Sequence, residues 1–327
     1  MSPYLEPHEW VAIVSYRYFH SFRDFQGDHE VHIPLVENDT YIDVFDLSIA
    51  YALTKRLSFS WEIPFQYGSR TNKVEHDLIH VHTMRAAGMG DWRFTANYLL
   101  LDPDKNPNQN ITLGLGMKVP TGEDAATDYS YRATGAVLRP VDSAIQPGDG
   151  GWSIIVSGHA FTSLSFAGLQ FTNAFKNTFA FLDATYLVNP QELSTTQTEY
   201  GDIPDFTAGD KGEMFNSVPD QFVMRAGITG PVWPDQGIAG TLGVRWEGIP
   251  SHDLIGGSDG YRIPGYSVSI EPGLSMTRGP HSIGITAPVA FYRKGLPAVP
   301  DVRIHSPFAG IASFADFQIN VTYSFVF

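Results

Sequence analysis

Cysteine is absent from the 327 residues, which excludes a disulfide scaffold and a zinc–thiolate site. No apolar run approaches the roughly 18 residues that a membrane-crossing helix needs. Positive charge is scarce: 21 Lys and Arg stand against 35 Asp and Glu, a net charge of −14. Nucleic acid is therefore not expected as a partner, because its binding rests on clustered Lys and Arg. Long helices are poorly supported, since 31 Gly and 22 Pro interrupt the chain. The start, Met-Ser-Pro-Tyr-Leu-Glu-Pro, shows no basic segment followed by an apolar one. For an exported protein the sequence therefore reads as the processed chain, with its signal removed.

What is present is alternation. Hydrophobic residues make up 43% and aromatics 13% of the chain, yet mean hydropathy is only −0.11. In Asp316–Phe327 the residues Phe317, Ile319, Val321, Tyr323, Phe325 and Phe327 share one face. Gln318, Asn320, Thr322 and Ser324 share the other. Leu57–Tyr67 alternates in the same way, with Phe59, Trp61, Ile63 and Phe65 opposing Ser58, Ser60, Glu62, Pro64 and Gln66. A period of two marks strands with one apolar and one polar side. Read along the chain, about twelve such strands appear, the seventh being hardest to place because Asp183 interrupts aromatics within Phe175–Val188. Short turns and long, acidic loops alternate between the strands. Both chain ends then lie on the short-turn side, the parity of a bacterial outer-membrane barrel. The expected fold is a single all-β domain over 1–327: a transmembrane antiparallel β-barrel with short periplasmic turns and long extracellular loops. Its final strand is expected to close onto Trp10–Tyr18.

If the aromatic faces point to lipid, the opposite faces line a lumen. They carry Arg17, Arg93, Lys118, Arg225 and Arg245 against Asp46, Glu62, Asp91, Glu247 and Glu271. These charges belong inside, because a charge on the lipid face costs about 2–4 kcal/mol at mid-membrane. Mixed signs suggest ion pairs crossing the lumen, either filling a narrow barrel or forming a charged constriction. His80 and His82, two apart in a strand-like stretch, face the same way and with Asp259 are the candidate metal ligands. No resident cofactor is expected beyond a Ca²⁺ or other divalent cation in the extracellular loops. Gly256–Gly260 and Pro147–Gly151 read as turns. Catalysis is not expected. Ser157 and His159 share a face, but side chains two apart lie too far for a direct bond, and no Gly-x-Ser-x-Gly elbow occurs.

Three segments carry a family resemblance: Gly88-Met-Gly-Asp-Trp-Arg-Phe-Thr-Ala-Asn-Tyr98, Gly114-Leu-Gly-Met-Lys-Val-Pro-Thr-Gly-Glu123 and Ile145-Gln-Pro-Gly-Asp-Gly-Gly-Trp152. Together with the terminal Phe327 they resemble the outer-membrane proteins associated with meta-pathway phenol degradation, a family regarded as transporters. The resemblance implies a barrel in the outer membrane that passes small, aromatic molecules, and carries no agreed site residues. The expected partners are outer-membrane lipid and lipopolysaccharide together with a small-molecule solute. The further partner expected is a second copy of the chain in a homo-oligomer or a protein bound at the loops. The alternative function is a closed structural barrel whose acidic loops bind a protein or a divalent cation.

Overall fold

The computed structural model describes residues 4–32, 38–165, 177–199 and 213–327. Its main sheet runs β1 (Trp10–Ser21), β2 (Asp39–Ala52), β3 (Leu57–Asn72), β4 (His82–Met89, continuing as Trp92–Leu99), β5 (Gln109–Val119) and β6 (Ser153–Ser163). It continues through β7 (Phe179–Val188), β8 (Gln221–Trp233), β9 (Ile238–Ile249), β10 (Gly265–Arg278), β11 (His281–Thr286, continuing as Val289–Gly295) and β12 (Phe317–Val326). Each strand pairs antiparallel with the next. The ring closes where β12 meets β1, in register from Val11↔Val326 to His20↔Phe317. Closure leaves no unpaired sheet edge, the condition for a sheet in hydrocarbon.

The outer surface is apolar where a soluble protein would be polar. Leu115 is 64% and Phe291 65% exposed, and Phe45, Leu113, Val156, Leu242 and Ile285 are exposed around the wall. That belt faces lipid. The small apolar core lies inside the barrel instead, under the long loops. There Met84, Ala86, Val141 and Ile145 are buried against Ile42 and Ala126.

Alternation alone places the fourth strand around 90–100, whereas β4 begins at His82. Between the register pairs Phe65↔Met89 and Glu62↔Arg93, two residues of β3 face three of β4. The extra residue is a bulge, sited opposite Pro64, which has no N–H to give the ladder. It also switches side-chain parity. Met84 and Ala86 point inward above it and Arg93 points inward below it.

The turns at one end are short: 53–56 joins β2 to β3, Pro234–Gln236 lies between β8 and β9, and 279–280 joins β10 to β11. The β6–β7 connection, 164–178, is an exception to the expected short turns, and its residues 166–176, with Phe175, lie outside the described residues. The seventh strand itself begins at Phe179. At the opposite, extracellular end the loops carry structure of their own. One hairpin pairs Thr127–Arg132 with Gly135–Pro140, and a second pairs Leu193–Gln197 with Phe215–Ser217. Residues 200–212 of the β7–β8 loop, and 33–37 of the β1–β2 loop, lie outside the described residues.

Candidate functional site: the barrel lumen

After the hairpin of Thr127–Arg132 and Gly135–Pro140, in the loop between β5 and β6, the chain turns down into the barrel. The segment 141–149 packs on the inner wall of β3 and β4, and glycines make room for it. A Cβ on Gly68 would stand 2.7 Å from the Ile145 Cβ, and one on Gly90 would stand 2.9 Å from the Pro147 carbonyl oxygen. Gln66 Nε2 donates to the Gln146 carbonyl at 3.0 Å. Asp91 anchors the lower end, accepting from the N–H groups of Gly122 (3.0 Å) and Asp149 (3.2 Å). Lys118 Nζ lies 3.5 Å from Asp91 and pairs directly with Asp149. The three family-like segments therefore converge on one place, where Asp91 and Lys118 hold the inward loop. Pro147–Gly151, expected as a turn, instead brings Pro147, Gly148 and Asp149 to the lumen cavity.

Below that segment lies a cavity of 460 Å³. Arg17, Asp46, Glu62, Asp91, Arg93, Lys118 and Arg245 line it, with Asn320 and Thr322 from the closing strand. Seven of the ten charges expected in the lumen therefore share one compartment. Arg225 lines a second compartment, and Glu247 and Glu271 hold the two arginines of β8 and β9 in place.

The pairs do not cross the lumen as expected. They run along the wall, because neighbouring strands bring opposite charges within reach without spanning the barrel. Arg93 donates to Glu62 on the adjacent strand at 2.8 Å, and Arg245 donates to Glu247 two residues along its own strand at 2.7 Å. Arg225 reaches Glu271 through two bonds of 2.9 and 3.0 Å and Asp183 at 3.4 Å. Among the described residues, Arg17 and Asp46 form no ion pair with each other or with a neighbour, although both line the cavity.

The second compartment, 470 Å³, lies toward the short turns and is partly aromatic. Phe161, Phe179 and Phe181 project into it beside Tyr4, His159, Asp183 and Arg225. Phe161 and Phe179 meet edge to face at 6.1 Å, and the Arg225 guanidinium lies 5.8 Å from the Phe181 ring. His159 pairs with Asp183 across strands, so its partner is a carboxylate on β7 and not Ser157. These inward aromatics are what blurred the phase of the seventh strand. The reading had assigned aromatics to lipid, and here they face the lumen.

The candidate metal ligands separate. His80 and His82 do come together, with Asp77 as the third group, each offering an atom within 4.8 Å of the others. Asp77 Oδ2 lies 2.6 Å from His80 Nδ1. Asp259 does not join them. Its carboxylate is taken by Arg303, and its N–H donates to Glu192 at 3.0 Å. The physical reason is circumference: the β3–β4 and β9–β10 loops spring from strands six places apart in a ring of twelve.

A closed barrel of even strand number, apolar outside and charged within, defines an outer-membrane β-barrel protein. No family model matches the chain, and no curated protein matches it by sequence. Among solved structures it is similar to the COG4313 outer membrane channel from Pseudomonas putida F1. The TM-score is 0.59 at 12% identity, over 99% of this chain and 97% of that one. The translocator domain of autotransporter NalP from Neisseria meningitidis gives a TM-score of 0.48 at 9% identity, over 99% of this chain and 90% of that one. At these identities the likeness is one of fold.

Proposed function

We propose that the barrel is a channel that passes small solutes across the outer membrane, and that its cargo carries an aromatic ring and a negatively charged group. The observation that carries this reading is Arg17, a lumen guanidinium that among the described residues forms no ion pair with a carboxylate. An uncommitted cation in a confined polar space attracts an anion more strongly than the paired charges around it. The phenylalanine-lined chamber supports the aromatic part, since ring faces and a cation over Phe181 offer stacking and electrostatic contact. The motif resemblance to the meta-pathway family supports the aromatic part of that cargo and not its charge.

Reconstitution in planar bilayers tests the reading. Current through single barrels is expected, with reversal potentials on the anion side and block by benzoate at lower concentration than by acetate. A folded barrel with no conductance, and no uptake of benzoate into liposomes, would sink it. The inward segment 141–149 favours one competitor, a barrel closed by its own loop that serves as a scaffold. That competitor gains if the lumen stays silent both in the intact chain and after the segment is loosened.

A further inference from the structure

Three carboxylates lie buried together at the extracellular mouth, each on a different loop. Glu75 sits between β3 and β4, Asp142 opens the inward segment, and Glu199 follows the hairpin strand Leu193–Gln197. Their exposures are 1%, 0% and 1%. Each presents an oxygen within 4.8 Å of the other two.

Their hydrogen bonds leave the centre of the cluster unserved. One oxygen of Glu75 accepts from Arg70 at 2.6 Å and from Asn72, and one oxygen of Asp142 accepts from the Ala144 N–H at 2.7 Å. The other oxygen of each, and both oxygens of Glu199, have no hydrogen-bond partner among the described residues. Glu199 is the telling group: a carboxylate wholly inside the protein, aimed at two others, with neither oxygen satisfied. Burying such a group unpaired is strongly unfavourable. Arg70, 3.4 Å from Asp142 as well, brings one positive charge to three negative ones.

We propose that Glu75, Asp142 and Glu199 bind a calcium ion that ties the lumen segment to two extracellular loops. The donors are all carboxylate oxygens, which suit a hard cation and not zinc or copper. Calcium takes six to eight oxygens at about 2.3–2.6 Å, so oxygens on opposite sides of it stand about 4.6–5.2 Å apart. The three carboxylates meet that bound, since each offers an oxygen within 4.8 Å of the others. Magnesium demands shorter, octahedral contacts at about 2.0–2.1 Å and retains its waters, which a buried cluster resists. Burial, and then the neighbouring acids, raise the carboxyl of Glu199 well above its ordinary range, and burial raises that of Glu75 despite Arg70. A divalent cation removes the need for those protons. It also fixes Asp142, the residue from which the segment descends into the lumen. Any effect of calcium on conductance rests on the channel reading above, whereas the binding itself does not.

The test uses the full chain folded in detergent free of lipopolysaccharide, stripped with chelator and titrated with calcium chloride by calorimetry. One calcium per chain is expected, with a Tm several degrees above the stripped protein and much weaker binding of magnesium. The double variant E75Q/E199Q is expected to keep the heat-modifiable migration of a folded barrel while losing both the binding and the Tm shift. Should it misfold, D142N replaces it, and calcium is titrated against terbium luminescence of the wild-type protein, where displacement is expected. Melting indifferent to calcium, or undiminished binding in either folded variant, overturns the proposal. The first result would leave the acids sharing protons, and the second would place the ion elsewhere on the loops.

Discussion

Arg225 on β8 and Arg245 on β9 are register partners: two like charges at directly opposed positions of adjacent strands, both turned into the lumen. Such a pair is destabilising by itself. Each guanidinium is drawn off by a different carboxylate, Glu271 for Arg225 and Glu247 for Arg245. Arg245 then lines the polar cavity and Arg225 the aromatic chamber, so this pair of residues marks the boundary between the two.

Removing one of those carboxylates exposes the repulsion. Glu271→Gln leaves Arg225 with only Asp183 at 3.4 Å. A fully buried pair broken this way costs about 3–5 kcal/mol. Arg225 is 30% exposed to the lumen, so solvent screening reduces the expected loss to about 1–3 kcal/mol. Guanidinium unfolding of the detergent-folded barrel measures it, and R225M/E271Q is expected to recover most of the stability.

Arg17→Ala removes the uncommitted cation without breaking an ion pair. Stability should change little, and the reversal potential should move toward cations. A unit charge at about 4 Å in a water-like lumen is worth about 1 kcal/mol, roughly a fivefold change in the preference for an anion. Single-channel recordings in asymmetric salt give the answer. An unchanged reversal potential would mean that permeating ions do not meet Arg17.

Gly68→Val drives a side chain into Ile145. Overpacking of this kind costs about 1–3 kcal/mol, and the weaker element here is the inward segment, not the wall of β3. Thermal unfolding should show the loss. Channel recordings should show larger or noisier current as residues 141–149 are displaced.

The pH dependence of the calcium-free protein has a definite sign. The carboxyls of Glu75 and Glu199 are raised in the folded state from an ordinary value of 4.5, so they bind protons more tightly folded than unfolded. Their contribution is fully present below pH 4.5 and is lost as pH rises through the folded values. His76 works in the other direction. Burial, then His82, lowers it from 6.5 to about 4, and its contribution is lost as pH falls through that window. Wild type should therefore be compared with E75Q/E199Q, in which His76 is unchanged. The Tm difference between the two in chelator is expected to change between pH 4.5 and 7.5, in favour of wild type at the acid end. Calcium should flatten it.

The outer face can be tested by charge. Leu115 is at the middle of β5 and exposed. Leu115→Arg should cost about 2–4 kcal/mol in a bilayer, whereas Thr112→Arg, one face over in the lumen, should cost far less. Folding yield into lipid vesicles compares the two.

Much of the wall was legible in the residues themselves. Alternation in Leu57–Tyr67 and Phe317–Phe327 assigned each side chain to lipid or lumen, because a strand has a period of two wherever it lies. The parity of the loops set the strand number and the closure of β12 on β1. Alternation failed where a backbone irregularity or a change of role intervened. The bulge opposite Pro64 reversed the parity of β4 and hid its outer half. Phe179 and Phe181, aromatic yet inward, hid the start of β7.

Composition and period by themselves determined the barrel, the face on which Arg17, Arg93 and Arg245 lie, and the polar lining of the closing strand. Those follow from local geometry, which each strand carries within it. Only the tertiary structure decided which charges are spent on one another and which remain available. It took the register of β8 against β9 to set Arg225 opposite Arg245. It took the descent of 141–149 to bring Asp149 onto Lys118, and three separate loops to gather Glu75, Asp142 and Glu199. Contacts between residues far apart in the chain depend on how the ring closes and where its loops fold. No period in the sequence records that.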